Sequence, residues 1–321
     1  MYIINALFPV VLIALLGYLA RRRHWLNEPD AAAIERISFW FLIPCLLFHG
    51  AATAQFPADM HWAYLGGFYL VVLVVYGTGM ALGHWLFDYN LRELSIFGMG
   101  GAYANATVLG IPVTLAVLGK AALVPMLVII CVHNLMIFSL GTALAEWNPP
   151  LSTIEDAVAR GWRARFRRVG VELLLNPISG SLLAGALFNF AGLGLPGVLD
   201  KTLDLLAAAA VPGSVFGLGA ALTRYQIRGE IGKALVMVVI KLLLMPALMW
   251  WLMTQVFSVE PFWMKTAVMI AAMPVGISVY VFSRRYGDCE TVAATAIVLS
   301  SLLSVASLAF WAWWLTQPVL S

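Results

Sequence analysis

The residues best suited to contact a ligand lie in an apolar stretch at positions 98–119, GMGGAYANATVLGIPVTLAVLG. Asn105 and Thr107 supply an amide and a hydroxyl group, and Gly110 and Pro112 follow shortly afterwards. Proline lacks an amide hydrogen and its ring clashes with the preceding turn, so we expect the helix to break just before Pro112. Unpaired backbone at membrane depth is tolerated only inside protein or beside a wet cavity. The stretch is therefore a candidate binding site, although a packing kink is the simpler interpretation of one such span alone.

A second interrupted stretch, MIAAMPVGISVYVFSRRYG, begins at Met269. Two interrupted membrane helices at corresponding positions are the best sequence indication of a transporter site. The first residues of each second half-helix carry partial positive charge and attract anions. We therefore predict that the two breaks together bind one anionic substrate. The predicted binding residues are Asn105, Thr107, Gly110, Pro112, Pro274, Gly276, Ser278 and Tyr280.

Three further polar residues lie inside apolar spans, namely Lys241, His133 and Asn134. Lys241 lies about 15 Å along its helix from Ile231, near the middle of the membrane, where a charge is costly. It could attract a substrate carboxylate or take part in proton coupling, or it could bind the free carbonyl groups of a neighbouring broken helix. His133 could relay protons, although a hydrogen-bonded packing histidine is commoner. We predict coupling or charge-compensating roles for these three residues.

The composition is that of an integral membrane protein. Of the 321 residues, 62% are hydrophobic and 11% are charged, and the mean hydropathy is +0.90. Soluble domains contain about 25% charged residues. The three cysteines are too few and too scattered for a disulfide framework or a metal cluster, so we predict no cofactor and no metal. No phosphate-binding loop is present, which argues against ATP-driven transport by this chain alone.

Ten apolar segments are long enough to cross a bilayer, which requires about 20 residues. Their approximate positions are 2–20, 33–55, 63–86, 94–119, 122–146, 171–193, 202–223, 231–257, 265–286 and 290–315. The loops at one side hold 15 of the 19 Lys and Arg residues, whereas the opposite loops hold only Lys120, Lys201 and Lys265. Because Lys and Arg accumulate in cytoplasmic loops, we predict a plasma (inner) membrane protein with both termini on the non-cytoplasmic side.

The two halves of the chain are predicted to be related. Prolines and glycines recur in order at an offset of 166 to 168 residues: Pro9 with Pro177, Gly17 with Gly185, Pro44 with Pro212, and Gly110 with Gly276. Since each half holds five spans, an odd number, the second half must enter the membrane inverted. We therefore predict one five-helix repeat at 1–146 and an inverted one at 171–321. Between them, apolar residues at helical spacing predict a cytoplasmic, basic and amphipathic linker at 147–170 that lies on the membrane surface.

The motifs at the two breaks resemble those of the auxin efflux carrier family. NATVLGIP at 105–112 is similar to the first crossover motif of that family, and PVGISVYVFSRRY at 274–286 is similar to the second. The resemblance covers the full ten-span length. Ser278 departs from it, because many family members have asparagine there.

The resemblance implies the fold of bile-acid sodium symporters, in which the broken fourth and ninth helices cross. It also implies an elevator in which helices 1, 2, 6 and 7 form a scaffold that often dimerises. Helices 3–5 and 8–10 would form the moving transport domain. By resemblance, Asn105 and Pro112 take the substrate-facing positions of the first crossover.

These observations predict a secondary transporter that moves a small organic anion, auxin-like or a dicarboxylate, by an elevator mechanism. Proton coupling and uniport both remain open, because the acidic cluster of a strong sodium site is missing. The expected partners are the anion, the lipid bilayer and a second copy of the chain, and no nucleic acid. One alternative is a sensor or scaffold that has lost transport. Another is an intramembrane enzyme, but the paired aspartates or His-Glu-x-x-His motif of such enzymes are missing.

Overall fold

A computed structural model describes residues 2–54, 62–147, 177–224 and 229–317, with the side chains of residues 2–6 and of Cys131 left out. Within these ranges the regular elements are helices, and the only strand-like pairing is one isolated bridge. The predicted amphipathic linker lies outside the described residues from position 148 onwards.

The helices are numbered here in chain order, and a helix that contains a π or 3₁₀ turn is given one number. They are α1 (Tyr2–Arg22), α2 (Glu28–Ala52), α3 (Trp62–Phe87), α4 (Leu91–Ala102), α5 (Ala106–Leu118), α6 (Lys120–Ala145), α7 (Pro177–Phe190), α8 (Gly197–Leu222), α9 (Ile231–Val256), α10 (Pro261–Ala271), α11 (Ser278–Tyr286) and α12 (Glu290–Leu315).

Six of these helices are long and apolar enough to cross a membrane: α2, α3, α6, α8, α9 and α12. Two of the predicted spans are instead pairs of shorter helices, α4 with α5 and α10 with α11. The prediction of an all-helical membrane protein is confirmed. The number of ten spans and the inverted repeat stay predictions.

Asparagine caps start two of the helices where water reaches their first turns. Asn90 accepts hydrogen bonds from the amides of Arg92 and Glu93, and the Glu93 carboxylate accepts one from the Asn90 amide, so α4 begins with a complete capping box. Asn27 and Asp30 form the same reciprocal arrangement at α2. Each box satisfies amides that the first helical turn leaves without intrahelical partners.

Three of the prolines inside the spans are accommodated by π turns rather than by breaks. Pro44, Pro112 and Pro246 each lie two residues beyond a π turn; these turns are Ser38–Leu42, Ala106–Gly110 and Ile240–Leu244. The extra residue widens the turn that faces the proline ring and relieves the clash that an α-helical turn would produce. The predicted break just before Pro112 is therefore wrong. The chain leaves the helix earlier, at residues 103–105, and α5 continues through Pro112.

Helices α1, α2, α7 and α8 pack against one another through glycines. A Cβ atom on Gly17 would collide with the Phe216 carbonyl oxygen, and one on Gly219 would collide with that of Ala14, so α1 and α8 approach backbone to backbone. Gly185 of α7 likewise faces the Phe48 carbonyl oxygen of α2, at 2.5 Å from the ideal Cβ position. Small residues at such positions permit close helix packing in membranes. We call these four helices the first group.

The remaining helices, α3 to α6 and α9 to α12, form a second group with close contacts of its own. A Cβ atom on Gly98 would lie 2.7 Å from the Tyr76 carbonyl oxygen, and one on Gly101 would lie 2.8 Å from Ile240. Between the two groups, the glycines in the described ranges make one close contact. It is a side-chain contact, in which Gly50 faces the flexible end of Leu123. Among the described glycines, backbone-to-backbone contacts are thus confined to each group.

Candidate functional site

The break between α4 and α5 pairs with the break between α10 and α11. The Asn105 amide donates to the Pro274 carbonyl oxygen at 3.0 Å, and the Gly276 amide donates to the Tyr103 carbonyl oxygen at 3.0 Å. These bonds form an antiparallel bridge. Backbone groups released by the two breaks therefore satisfy each other, as buried polar groups in a membrane protein must. We call residues 103–105 and 274–276 the crossing.

Side chains from neighbouring helices fix the crossing. The Val275 amide donates to Ser300 Oγ of α12 at 3.1 Å, and Ser300 is fully buried. Gly276 lies against the Cδ1–Cε1 edge of the Tyr103 ring, where an added Cβ atom would collide with the ring. Glycine is therefore required at position 276 by the close approach of Tyr103.

Tyr103 also connects the crossing to α6. Its hydroxyl donates to Asn134 Oδ1 at 2.8 Å, and its ring stacks on that of His133 with centroids 5.3 Å apart and planes 10° apart. His133 is 2% exposed, and neither ring nitrogen has a hydrogen-bond partner among the described residues. Each unpaired buried nitrogen costs on the order of 1–3 kcal/mol. The coupling role of His133 stays a prediction.

A cavity of about 300 Å³ borders the crossing. Its polar lining comes from both breaks, from α6 and from the end of α11. The lining includes Tyr103, Asn105, Thr107, His133, Asn134, Ser139, Thr142, Gly276, Ser278 and Arg285. Of the predicted site residues, the structure thus brings together Asn105, Thr107, Gly276, Ser278, His133 and Asn134.

Asn105 combines two features at this cavity. Its backbone belongs to the crossing, whereas its side-chain amide lines the cavity and makes no hydrogen bond with any described residue. The residue is only 7% exposed. Its amide group therefore remains available to a ligand inside an otherwise buried environment.

Four of the predicted binding residues do not line this cavity. Gly110 and Pro112 are buried within α5, and the Gly110 amide donates to the Asn105 carbonyl oxygen at 2.9 Å. Pro274 contributes its carbonyl group to the crossing, and Tyr280 lies beyond the lining on α11. Gly110 and Pro274 thus contribute backbone groups next to the cavity.

Lys241 is fully buried and does not line the cavity either. Its Nζ atom donates to the Ala271 carbonyl oxygen at 2.5 Å and lies 3.2 Å from Met245 Sδ. Ala271 is the last residue of α10, so the lysine occupies the carboxyl end of a broken helix, where the helix dipole favours a cation. This contact is the one expected if Lys241 supports the break.

Four polar lining residues are not among the predicted ligand contacts: Tyr103, Ser139, Thr142 and Arg285. Tyr103 resembles a core residue because its aromatic ring lies in an apolar span. Arg285 was counted only among the cytoplasmic loop charges. Its spacing of seven residues from Ser278 places both on one helix face, and this signal could have identified it.

The profile of a family described as "Membrane transport protein" matches residues 2–312. The chain belongs to this family. The membrane transport protein has relatives along almost its whole length, which identifies it as a transporter of the auxin efflux carrier type and not an enzyme.

Three relatives of this membrane transport protein illustrate the range of the family. A proposed malonate transporter of Rhizobium meliloti (strain 1021) is 27% identical, and the match covers 95% of this chain and 93% of the relative. Auxin efflux carrier component 8 of Arabidopsis thaliana is 24% identical, with 95% of both chains covered. An uncharacterized transporter of Methanothermobacter thermautotrophicus is 26% identical, with 94% of this chain and 95% of the relative covered.

Proposed function

We propose that this membrane transport protein is a secondary transporter that binds a small organic carboxylate beside the crossing. The observation that carries the proposal is the Asn105 amide, which lines the cavity without a hydrogen bond to any described residue. An amide at a cavity wall can donate to and accept from a ligand that enters the cavity. Thr107 and Ser278 add hydroxyl groups to the same lining.

Several features support an anionic ligand. Helices α5 and α11 both begin at the crossing, and neither has a side-chain cap at its amino-terminal end. Such ends carry partial positive charge. The described cavity lining contains Arg285 but no Asp or Glu. Malonate and auxin, named for two relatives, are both carboxylic acids. A volume of about 300 Å³ lies at the small end of ligand pockets.

We propose an elevator in which the second group of helices carries the crossing past the first group. The confinement of backbone-to-backbone glycine contacts to each group supports this division. In the numbering of the ten predicted spans, the first group corresponds to spans 1, 2, 6 and 7, which the resemblance implies form the scaffold. The second group corresponds to spans 3–5 and 8–10, which it implies form the moving domain. Ten spans in two inverted repeats and a homodimer formed through the scaffold belong to the same proposal.

The proposed orientation has both termini outside the cytoplasm, in the plasma (inner) membrane. It rests on the accumulation of Lys and Arg in alternate loops. In intact cells, a membrane-impermeant maleimide should label the variant Ser321→Cys and should not label Arg284→Cys. The reverse labelling pattern would rule out this orientation.

The test of the function is uptake by proteoliposomes that contain the purified protein. We expect saturable uptake of labelled malonate or an aromatic acid, with competition by the unlabelled acid and no uptake by protein-free liposomes. An imposed proton gradient should accelerate uptake if transport is coupled to protons and leave it unchanged in a uniporter. Binding without any uptake would favour a sensor over a transporter.

A further inference from the structure

We propose that Arg285 forms a second carboxylate subsite in the cavity, so that the site prefers dicarboxylates to monocarboxylates of the same size. The inference rests on the proposed function, because it assumes that the first carboxylate binds beside Asn105 and the start of α11. It adds a substrate class and a residue that selects for it.

Arg285 is placed to contact a ligand in the cavity. Arg285 lines the same cavity as Asn105 and Ser278, and it lies on α11, the helix that Ser278 begins. Seven residues correspond to about 10 Å along the helix and bring Arg285 back to the face that Ser278 occupies. Helical side chains lean toward the amino-terminal end. The long side chain of Arg285 therefore leans toward the crossing.

The described charged residue in the cavity lining is a cation. Arg285 is the one Lys or Arg residue in the described lining, and the lining contains no Asp or Glu. No described carboxylate pairs with Arg285, whose guanidinium lies 5.7 Å from the ring centroid of Tyr286. Arg284, one residue earlier, instead lies 3.9 Å from Glu290 and does not line the cavity. The unpaired cation is thus the one that faces the ligand space.

The chemistry of the two ends of the cavity differs. The crossing offers an amide, hydroxyl groups and helix amino-terminal ends, which suffice for one carboxylate. Arginine offers a planar fork of donors that binds a carboxylate in bidentate fashion. With a monocarboxylate bound at the crossing, the Arg285 guanidinium would bind only water. A dicarboxylate could bind the crossing with one carboxylate and Arg285 with the other. Because Arg285 belongs to the proposed moving group, it would travel with the substrate.

The experiment compares malonate with monomethyl malonate, which has nearly the same shape but one negative charge. Binding is measured by calorimetry at alkaline pH, where both carboxyl groups of malonate are ionised. The proteins are the full-length wild type, Arg285→Gln, Arg285→Lys and the matched control Arg284→Gln. Melting temperatures establish that each variant is folded.

We expect Arg285→Gln to weaken malonate binding about tenfold and to leave monomethyl malonate binding unchanged. Because Arg285 is exposed, we expect this loss of affinity to lie near the low end of the range for hydrogen bonds to charged groups. Arg285→Lys should retain part of the preference, and Arg284→Gln should retain all of it.

Equal losses for both probes in Arg285→Gln, or an equal loss of malonate binding in Arg284→Gln, would overturn the subsite. A wild type that binds both probes equally would also overturn it, and the proposed function would stand. A wild type that binds neither probe, nor any other small carboxylate, would overturn the proposed function and this inference with it.

Discussion

At the residue scale, the buried Asn105 contrasts with the half-buried Asn189. The backbone of Asn105 joins the two breaks, and its side chain lines the cavity without a described partner. Asn189 is the opposite case, because its Nδ2 atom donates to the carbonyl oxygens of Ala52 and Ala54, both at 2.8 Å. One amide is available to a ligand, and the other holds α7 to the end of α2.

We therefore expect Asn105→Ala to weaken carboxylate binding by roughly ten- to a hundredfold, because a hydrogen bond to a charged group contributes about 1.5–3 kcal/mol. The melting temperature should change little. Asn189→Ala should lower stability by about 0.6 kcal/mol or somewhat more and leave affinity unchanged. Calorimetric binding and thermal melting of both purified variants check the pair. Unchanged affinity in Asn105→Ala would remove the main support for the site.

At the element scale, the contact between Gly276 and Tyr103 determines how closely the two breaks approach. The ring of Tyr103 touches Gly276 at its Cδ1–Cε1 edge and stacks on His133 of α6. A methyl group at position 276 would displace this ring and strain the hydrogen bond from the Gly276 amide to the Tyr103 carbonyl oxygen. The crossing therefore depends on a glycine that packs against a rigid aromatic stack.

We expect Gly276→Ala to destabilise the protein by about 1–3 kcal/mol, the range for overpacking, and to weaken ligand binding. The matched control is Gly66→Ala, since Gly66 lies in α3 and nothing is within 4 Å of its ideal Cβ position. Alanine there should be neutral or stabilising by up to about 1 kcal/mol. Thermal melting with and without ligand measures both variants. A Gly276→Ala protein as stable and as tightly binding as wild type would contradict the packing described here.

At the scale of the whole molecule, glycine contacts define two groups of helices. Within a group, backbones approach so closely that side chains could not slide past one another. Between the groups, Gly50 of α2 meets only the flexible end of Leu123 of α6, whose Cγ atom lies 3.3 Å from the ideal Cβ position. Between the groups, the described glycines make no backbone-to-backbone contact.

This division predicts the effect of two engineered disulfides in a cysteine-free background. The pair Gly50→Cys and Leu123→Cys, which joins the groups, should abolish uptake when oxidised and restore it on reduction. The control pair Ala51→Cys and Gly185→Cys lies within the first group, where the Gly185 ideal Cβ position is 2.9 Å from Ala51 Cβ. A small backbone adjustment would permit that bond, and uptake should persist. Full uptake with the first pair oxidised would argue against an elevator. The cysteines to be replaced are Cys45, Cys131 and Cys289.

Hydropathy and the proline and glycine positions predict the membrane class, the helical content and the approximate places of both interruptions. Hydropathy and the positions of proline and glycine are local properties, and a helix in a bilayer must satisfy its own backbone, so local patterns suffice. The same patterns misplaced the first break, because a π turn before Pro112 accommodates the ring and the chain leaves the helix at residues 103–105. Proline alone does not distinguish a π turn from a break.

Which polar groups meet depends on how the helices pack. Residues 103–105 and 274–276 are about half the chain apart, yet their backbones pair. Lys241 finds the carbonyl group of Ala271, and Arg285 reaches the cavity rather than serving only as a loop charge. Such contacts depend on the packing of several helices at once, because each released polar group accepts whichever partner the surrounding helices bring within hydrogen-bonding distance.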